Sequence, residues 1–240
     1  MATSFSPTRQ DVERYRSLRA VSMELNHRIL KTIPRQALDE IGDALGIRRN
    51  GVLVFDSEDM TSVIMDCCLY DWYENGKNLV QRYAETHPAP PETDESYLLQ
   101  ACLQAKYRIL MARSAVPGAG IHCQDVLNGG DLFLMDLAMS QNIPCVNAAV
   151  ATRTIPLGEY WMTSGAGLPV SSKESILDAL RRIGTGHYKA LEGPGAVALS
   201  IARACLAAGA ADYITYESLE TSTRKSRRQP RWPGFKRRRR

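Results

Sequence analysis

The chain has 240 residues, of which 44% are apolar and 23% charged, so it is long enough to bury a sizeable core and is composed like an ordinary globular protein. Its formal charge of +4 conceals an asymmetry: residues 221–240 hold ten basic residues and no acid, which leaves 20 basic against 26 acidic residues, a net of −6, in residues 1–220. The N-terminus lacks the apolar core of a secretion signal, and the longest apolar stretch, Ala196–Ala211, is short, alanine-rich and interrupted by Arg203, which argues against a membrane span. Six scattered cysteines in such a chain read as buried free thiols, and the expected location is cytoplasmic.

Residues 7–32 read as a helix. Ser6-Pro7 offers a cap and a first-turn proline, and Val12, Tyr15, Leu18, Val21, Met23, Leu25, Ile29 and Leu30 recur at three- and four-residue spacing. A second helix runs from Pro34 to Leu45, with Gly46 as its left-handed stop. Gly51–Phe55 is either a short strand or an apolar lead-in to a helix that Asp56-Ser57 caps and that extends to about Tyr73. That helix breaks near Asn75-Gly76, and a shorter one follows over Lys77–Thr86. His87–Asp94, with Pro88, Pro90 and Pro91, favours extended backbone and reads as a linker before a helix from Ser96 to about Lys106.

The period changes at Tyr107. Short apolar runs at 107–116, 120–126, 132–137, 144–155 and 160–163 alternate with Pro117-Gly118, Asn128-Gly129-Gly130, Pro156-Leu157-Gly158 and Ser164-Gly165-Ala166-Gly167. This punctuation predicts an antiparallel meander curled into a small sheet or barrel. Helices return at 172–183 and 194–208, and nothing apolar is periodic after Ser218. The predicted class is α+β: a helical region at 1–106, a β-rich module at 107–170, C-terminal helices at 171–217 and a disordered basic tail at 218–240.

Ala105–Leu110, Val116–Ile121, Asp125–Leu134 and Trp161–Val170 together resemble a segment of uncharacterised bacterial proteins that often end in a SEC-C-type zinc motif. The resemblance covers about a quarter to a third of the chain and implies a small β-rich module without a stated chemistry. The zinc role does not carry over, because no cysteine follows Cys205 and no histidine follows His187.

Candidate chemistries are weak. Cys67-Cys68 are adjacent and lack a second pair, so they read as buried apolar residues rather than zinc ligands, and no metal or other cofactor is expected. His122 and Cys123 lie next to each other in a predicted strand, where they point to opposite faces and cannot form a thiol–imidazole pair. Asp56, Glu58 and Asp59 read as acids at a helix start, which meet free N–H groups there. Gly193-Pro194-Gly195 opens a helix and could hold a phosphate, but more often marks a turn.

The strongest signal is the tail. Arg224, Lys225, Arg227, Arg228, Arg231, Lys236, Arg237, Arg238, Arg239 and Arg240, with Trp232 and Phe235 between them, form the composition that condenses on polyanions and stacks on exposed bases. Eight of the ten cations are arginine, which favours forked contacts to phosphate. The expected partner is RNA or DNA ahead of an anionic membrane surface. The expected role is non-enzymatic and associated with nucleic acid or the ribosome. The alternatives are a hydrolase-like enzyme centred on Cys123 or on the Asp56/Glu58/Asp59 cluster, and an interaction module with a protein partner on the β-rich segment.

Overall fold

The computed structural model describes residues 5–55, 58–141, 148–170 and 193–208. It is an α+β protein in which a layer of helices packs on a closed five-stranded barrel. The predicted helix at 172–183 and the tail lie outside the described residues.

Helix α1 (Arg9–Leu30) starts later than predicted, because Thr8 and Asp11 form a reciprocal capping box. The Thr8 hydroxyl accepts from the Asp11 amide at 3.2 Å, and the Asp11 carboxylate accepts from the Thr8 amide at 2.8 Å. Two otherwise orphaned donors are thereby satisfied, which a first-turn Pro7 could not achieve. Tyr15, Leu18, Ser22, Leu25 and Ile29 form its buried stripe, whereas Met23, predicted to join it, is 65% exposed. Helix α2 (Arg35–Leu45) ends at Gly46, whose φ of 75° supplies the left-handed stop.

Two asparagine-glycine turns build small hairpins on either side of helix α3 (Glu58–Tyr70). Asn50 and Gly51 join β1 (Arg48–Arg49) to β2 (Val52–Leu53), and Asn75 and Gly76 join β3 (Tyr73–Glu74) to β4 (Lys77–Asn78). All four turn residues have positive φ, as the tightest hairpins require. The second hairpin explains why α3 stops at Tyr70 rather than Tyr73. Helix α4 (Leu79–Thr86) is capped by Asn78 with Gln81, and helix α5 (Asp94–Leu103) by Thr93 at the end of the proline linker.

The barrel strands are β5 (Lys106–Val116), β6 (Gly120–Asp125), β7 (Asp131–Met135), β8 (Ala149–Leu157) and β9 (Tyr160–Val170), in the closed order β5-β6-β7-β9-β8. All pairings are antiparallel except β7 with β9, which meet in parallel at Leu134 and Trp161. This is the Greek-key closure of an OB-type barrel, not a simple meander. The apolar run at 132–137 divides, since Asp136 caps the short helix α6 (Leu137–Ser140) by accepting from the Ala138 and Met139 amides. Ser164–Gly167, predicted as a turn, lies in the middle of β9. Gly165 adopts a φ of 103° and the β8–β9 register shifts between Thr152 and Thr154, so the glycines bend a long strand around the barrel.

Alternation along the strands divides the apolar residues between two cores. Leu110, Ala112, Ile121, Cys123 and Leu134 fill the lumen, while Ile109, Phe133, Met135, Ala151, Met162 and Leu168 face outward into a larger core shared with the helices. Helix α3 packs on β9, α5 on β8, and helix α7 (Ala196–Ala207) on α2, α3, β8 and β9. Among the described residues no helix is long and apolar enough to cross a membrane.

Gly120 marks the tightest point of the barrel. A Cβ there would lie 2.2 Å from the Leu134 carbonyl oxygen and 2.9 Å from the Met135 Cα, both on the backbone of the paired strand. Gly120→Ala is therefore expected to destabilise the fold by about 2–3 kcal/mol, the cost of overpacking against atoms that cannot rotate away. Denaturant titration checks this, with Gly76→Ala as a comparison at a site where a Cβ meets nothing within 4 Å but φ is +77°.

Candidate functional site

The chemistry-bearing residues converge where the end of α3 meets the outer wall of β8. Thr152 and Thr154 are directed to one side of β8, so Arg153 points to the other, toward the helices. Its Nε donates to Asp66 Oδ2 at 2.9 Å, and its Nη2 donates to Asp71 Oδ2. Asp66 lies in α3 and Asp71 directly follows it, so the helix terminus offers one carboxylate to each side of the guanidinium fork. The guanidinium also sits over the rings of Tyr70 and Tyr107, 4.4 and 5.3 Å from their centroids. Each of the three charged side chains is no more than 5% exposed.

Burial and charge oppose each other here. Burial pushes the Asp71 carboxyl up to about 7, against the pull of Arg153. Burial also disfavours the Arg153 cation, but Asp66 and Asp71 outweigh it and raise its pKa. The Cys67 thiol, one helical turn before Asp71, is pushed well above its ordinary value by the same desolvation, with the nearby Asp71 and Asp66 carboxylates adding to it. Asp66 Oδ1 is buried without a hydrogen-bond partner.

A cleft of about 320 Å³ leads to this cluster from outside. Asp71, Arg153 and Tyr107 are at its floor, and Lys106, Asn128 and Val197 at its rim. Gly195, the cap of α7, sits against the Asp71 main chain: a Cβ would lie 2.5 Å from the Asp71 carbonyl oxygen. The Gly193-Pro194-Gly195 segment thus serves close packing beside Asp71, with Gly193 turning at a φ of 103°.

A second buried pair closes one end of the barrel lumen. Arg108 donates to Asp125 Oδ2 and Thr154 Oγ1 and lies 4.6 Å from the Trp161 ring centroid. Asp125 also accepts from the Leu127 and Asn128 amides and from the Asn128 side chain, which orders the β6–β7 turn. Those hydrogen bonds hold its carboxyl below the ordinary value despite burial.

Of the residues nominated from sequence, Arg224 to Arg240 with Trp232 and Phe235 lie outside the described residues, as does Asp56. Glu58 and Asp59 open α3, with side chains outside the described set. Cys123 is buried in the lumen with its thiol pushed up to about 12, so it carries no ready thiolate. His122 points to the opposite face and packs edge-on against Phe133 at 4.8 Å. Sequence reasoning missed Asp66, Asp71 and Arg153. The available signal was a charge inside an apolar run, in Val63-Ile-Met-Asp66-Cys-Cys-Leu-Tyr70 and in Val150-Ala-Thr-Arg153-Thr-Ile155, since a charge in a buried segment needs a partner.

Removing Arg153 leaves two buried carboxylates uncompensated, so Arg153→Met is expected to cost about 3–5 kcal/mol in denaturant titration. Asp71 makes stability depend on pH. Its folded value of about 7 exceeds the ordinary 3.8, so between those limits the native chain holds a proton that the unfolded chain has released. Stability attributable to this group therefore falls as pH rises from about 4 to about 7, by at most about 1.4 kcal/mol per pH unit. Melting curves of wild type and Asp71→Asn across this window should diverge in slope, the variant losing less stability with rising pH. Parallel slopes would remove the assignment.

No curated protein and no solved structure matches the chain. A family of unknown function, DUF7986, matches residues 9–184, about three quarters of the length. The matched span starts at the first residue of α1 and takes in Asp66, Asp71, Arg108, Asp125 and Arg153, whereas the basic residues after position 220 lie beyond it. The chain belongs to this family of unknown function, DUF7986.

Proposed function

We propose that this chain is a non-enzymatic, cytoplasmic protein that associates with RNA or DNA through its C-terminal residues. The composition of residues 221–240 carries the reading: ten cations, no acid, and two aromatic rings in twenty positions, attached to a body of net −6. Each phosphate met by a cation releases condensed counterions, so affinity comes from the tail and depends steeply on salt. Trp232 and Phe235 supply ring faces on which unpaired bases stack, which favours single strands.

The barrel is the module that would add selectivity. OB-type barrels bind oligonucleotides on the face of their second and third strands, here β6 and β7. In this chain Phe133 and Met135 of that face are buried, with Phe5 packed 5.2 Å from Phe133. Arg113 of β5 and Gln124 of β6, hydrogen-bonded to each other across the two strands, remain at the surface. The barrel therefore offers a narrow polar strip, and the tail supplies most of the binding free energy in this proposal.

The test is fluorescence anisotropy with single-stranded RNA, single-stranded DNA and duplex DNA over a range of salt. Replacing Arg237, Arg238, Arg239 and Arg240 by Gln in the full chain should weaken binding at least tenfold near 0.1 M salt. The slope of log affinity against log salt should fall by roughly 0.7–0.9 for each phosphate that is no longer neutralised. Trp232→Ala should weaken single strands by about 1–3 kcal/mol and leave duplex binding unchanged. Equal affinity of wild type and the four-glutamine variant, or tighter binding to anionic vesicles than to any nucleic acid, would overturn the proposal.

A further inference from the structure

The cluster under the cleft is short of positive charge. Two carboxylates face one guanidinium in a region where Asp66, Asp71 and Arg153 are almost wholly removed from water. Arg153 engages only Oδ2 of each carboxylate, so its two bonds leave Asp66 Oδ1 with no donor. An unsatisfied buried acceptor costs about 1–3 kcal/mol, more when it carries charge. A purely structural Asp–Arg–Asp clamp gives no reason for that unpaired oxygen to be retained.

Cys67 stands beside it. One donor atom from each of Asp66, Cys67 and Asp71 lies within 4.8 Å of the other two, and all three residues are buried. We propose that Asp66, Cys67 and Asp71 form a binding site for a borderline-soft divalent cation of the zinc type, with Arg153 as the outer partner that orients both carboxylates. The inference is independent of the tail and of nucleic-acid binding.

The donor set selects the ion. Calcium and magnesium take all-oxygen shells, whereas one sulfur with two carboxylate oxygens suits zinc and its neighbours. Charge also balances: two carboxylates, one thiolate and one guanidinium sum to −2, which a divalent ion cancels. Binding forms a metal–sulfur bond, breaks the Cys67 S–H bond and releases that proton to solvent. Zinc–ligand distances of about 2.0–2.3 Å imply tetrahedral donors roughly 3.5 Å apart, so small side-chain rotations close the present spacing. The guanidinium stays on the Oδ2 atoms, as hydrogen-bonded outer partners of metal carboxylates do. The cleft reaches Asp71 and Arg153, which provides an entry path.

Cobalt(II) added to the metal-free full chain tests the site, because a cobalt–thiolate bond absorbs strongly in the near ultraviolet. A single ion per chain is expected to produce that absorption, to be displaced by zinc, and to release about one proton at about pH 8 and more nearer pH 7, where Asp71 still holds part of its own. Cys67→Ser should abolish the band and Asp66→Asn should weaken binding at least tenfold, while Cys123→Ser, in the barrel lumen, should change neither. X-ray absorption of the zinc-loaded wild-type chain needs no variant and should find one sulfur among oxygen scatterers. No thiolate band, a band that survives Cys67→Ser, or a shell with no sulfur or several would overturn the proposal.

Discussion

The structure depends on the solvation of one guanidinium. Arg153 is carried by an outward-facing position of β8 into the interface between barrel and helices, where water no longer screens it. An unpaired arginine there would cost several kilocalories per mole, so the helical layer must present carboxylates at that point. Asp66 and Asp71 meet the requirement because α3 ends between them: one is held by the helix, and the other by the backbone that turns out of it toward β3. The glycine at the start of α7 follows from the same constraint, since a larger residue would collide with Asp71.

A second arginine solves the same problem on the other side of the barrel wall. Arg108 belongs to β5 and lies against Trp161 within reach of Asp125 and Thr154. The two pairs differ in consequence. Asp125 accepts from two backbone amides and an asparagine as well as from Arg108, so its charge is well satisfied and its carboxyl stays ionised. Asp71 shares a single guanidinium with Asp66, and desolvation raises its carboxyl toward neutrality. Incomplete compensation sets the α3–β8 cluster apart from ordinary core packing, and a cleft ends on it.

Two separable features thus stand as candidates for function. The residues matched by the family contain the buried cluster and most of the lining of its cleft, whereas Pro194, Val197 and Ala198 of that lining and the polycation lie beyond the match. Affinity for a polyanion needs no fixed geometry, because counterion release depends on charge density. A metal or small-ligand site needs positions fixed to fractions of an ångström, which only a packed interface between rigid elements supplies. The first can be a property of this chain alone, and the second belongs to the part it has in common with its family.

Local signals determined the elements. Asn50-Gly51 and Asn75-Gly76 specify turns with positive φ, Gly46 specifies a helix end, and alternation from Tyr107 onward specifies strands, because each rests on contacts within a few residues. The helix-then-barrel order and the opposite facing of His122 and Cys123 follow from the same short-range rules. Tertiary structure alone decided the parallel closure of β7 on β9, the passage of β9 through Ser164–Gly167, and the meeting of Arg153 with Asp66 and Asp71 across more than eighty residues. Periodicity records which side of an element is apolar but not what lies opposite. A buried charge acquires its meaning only from the partner that folding brings to it.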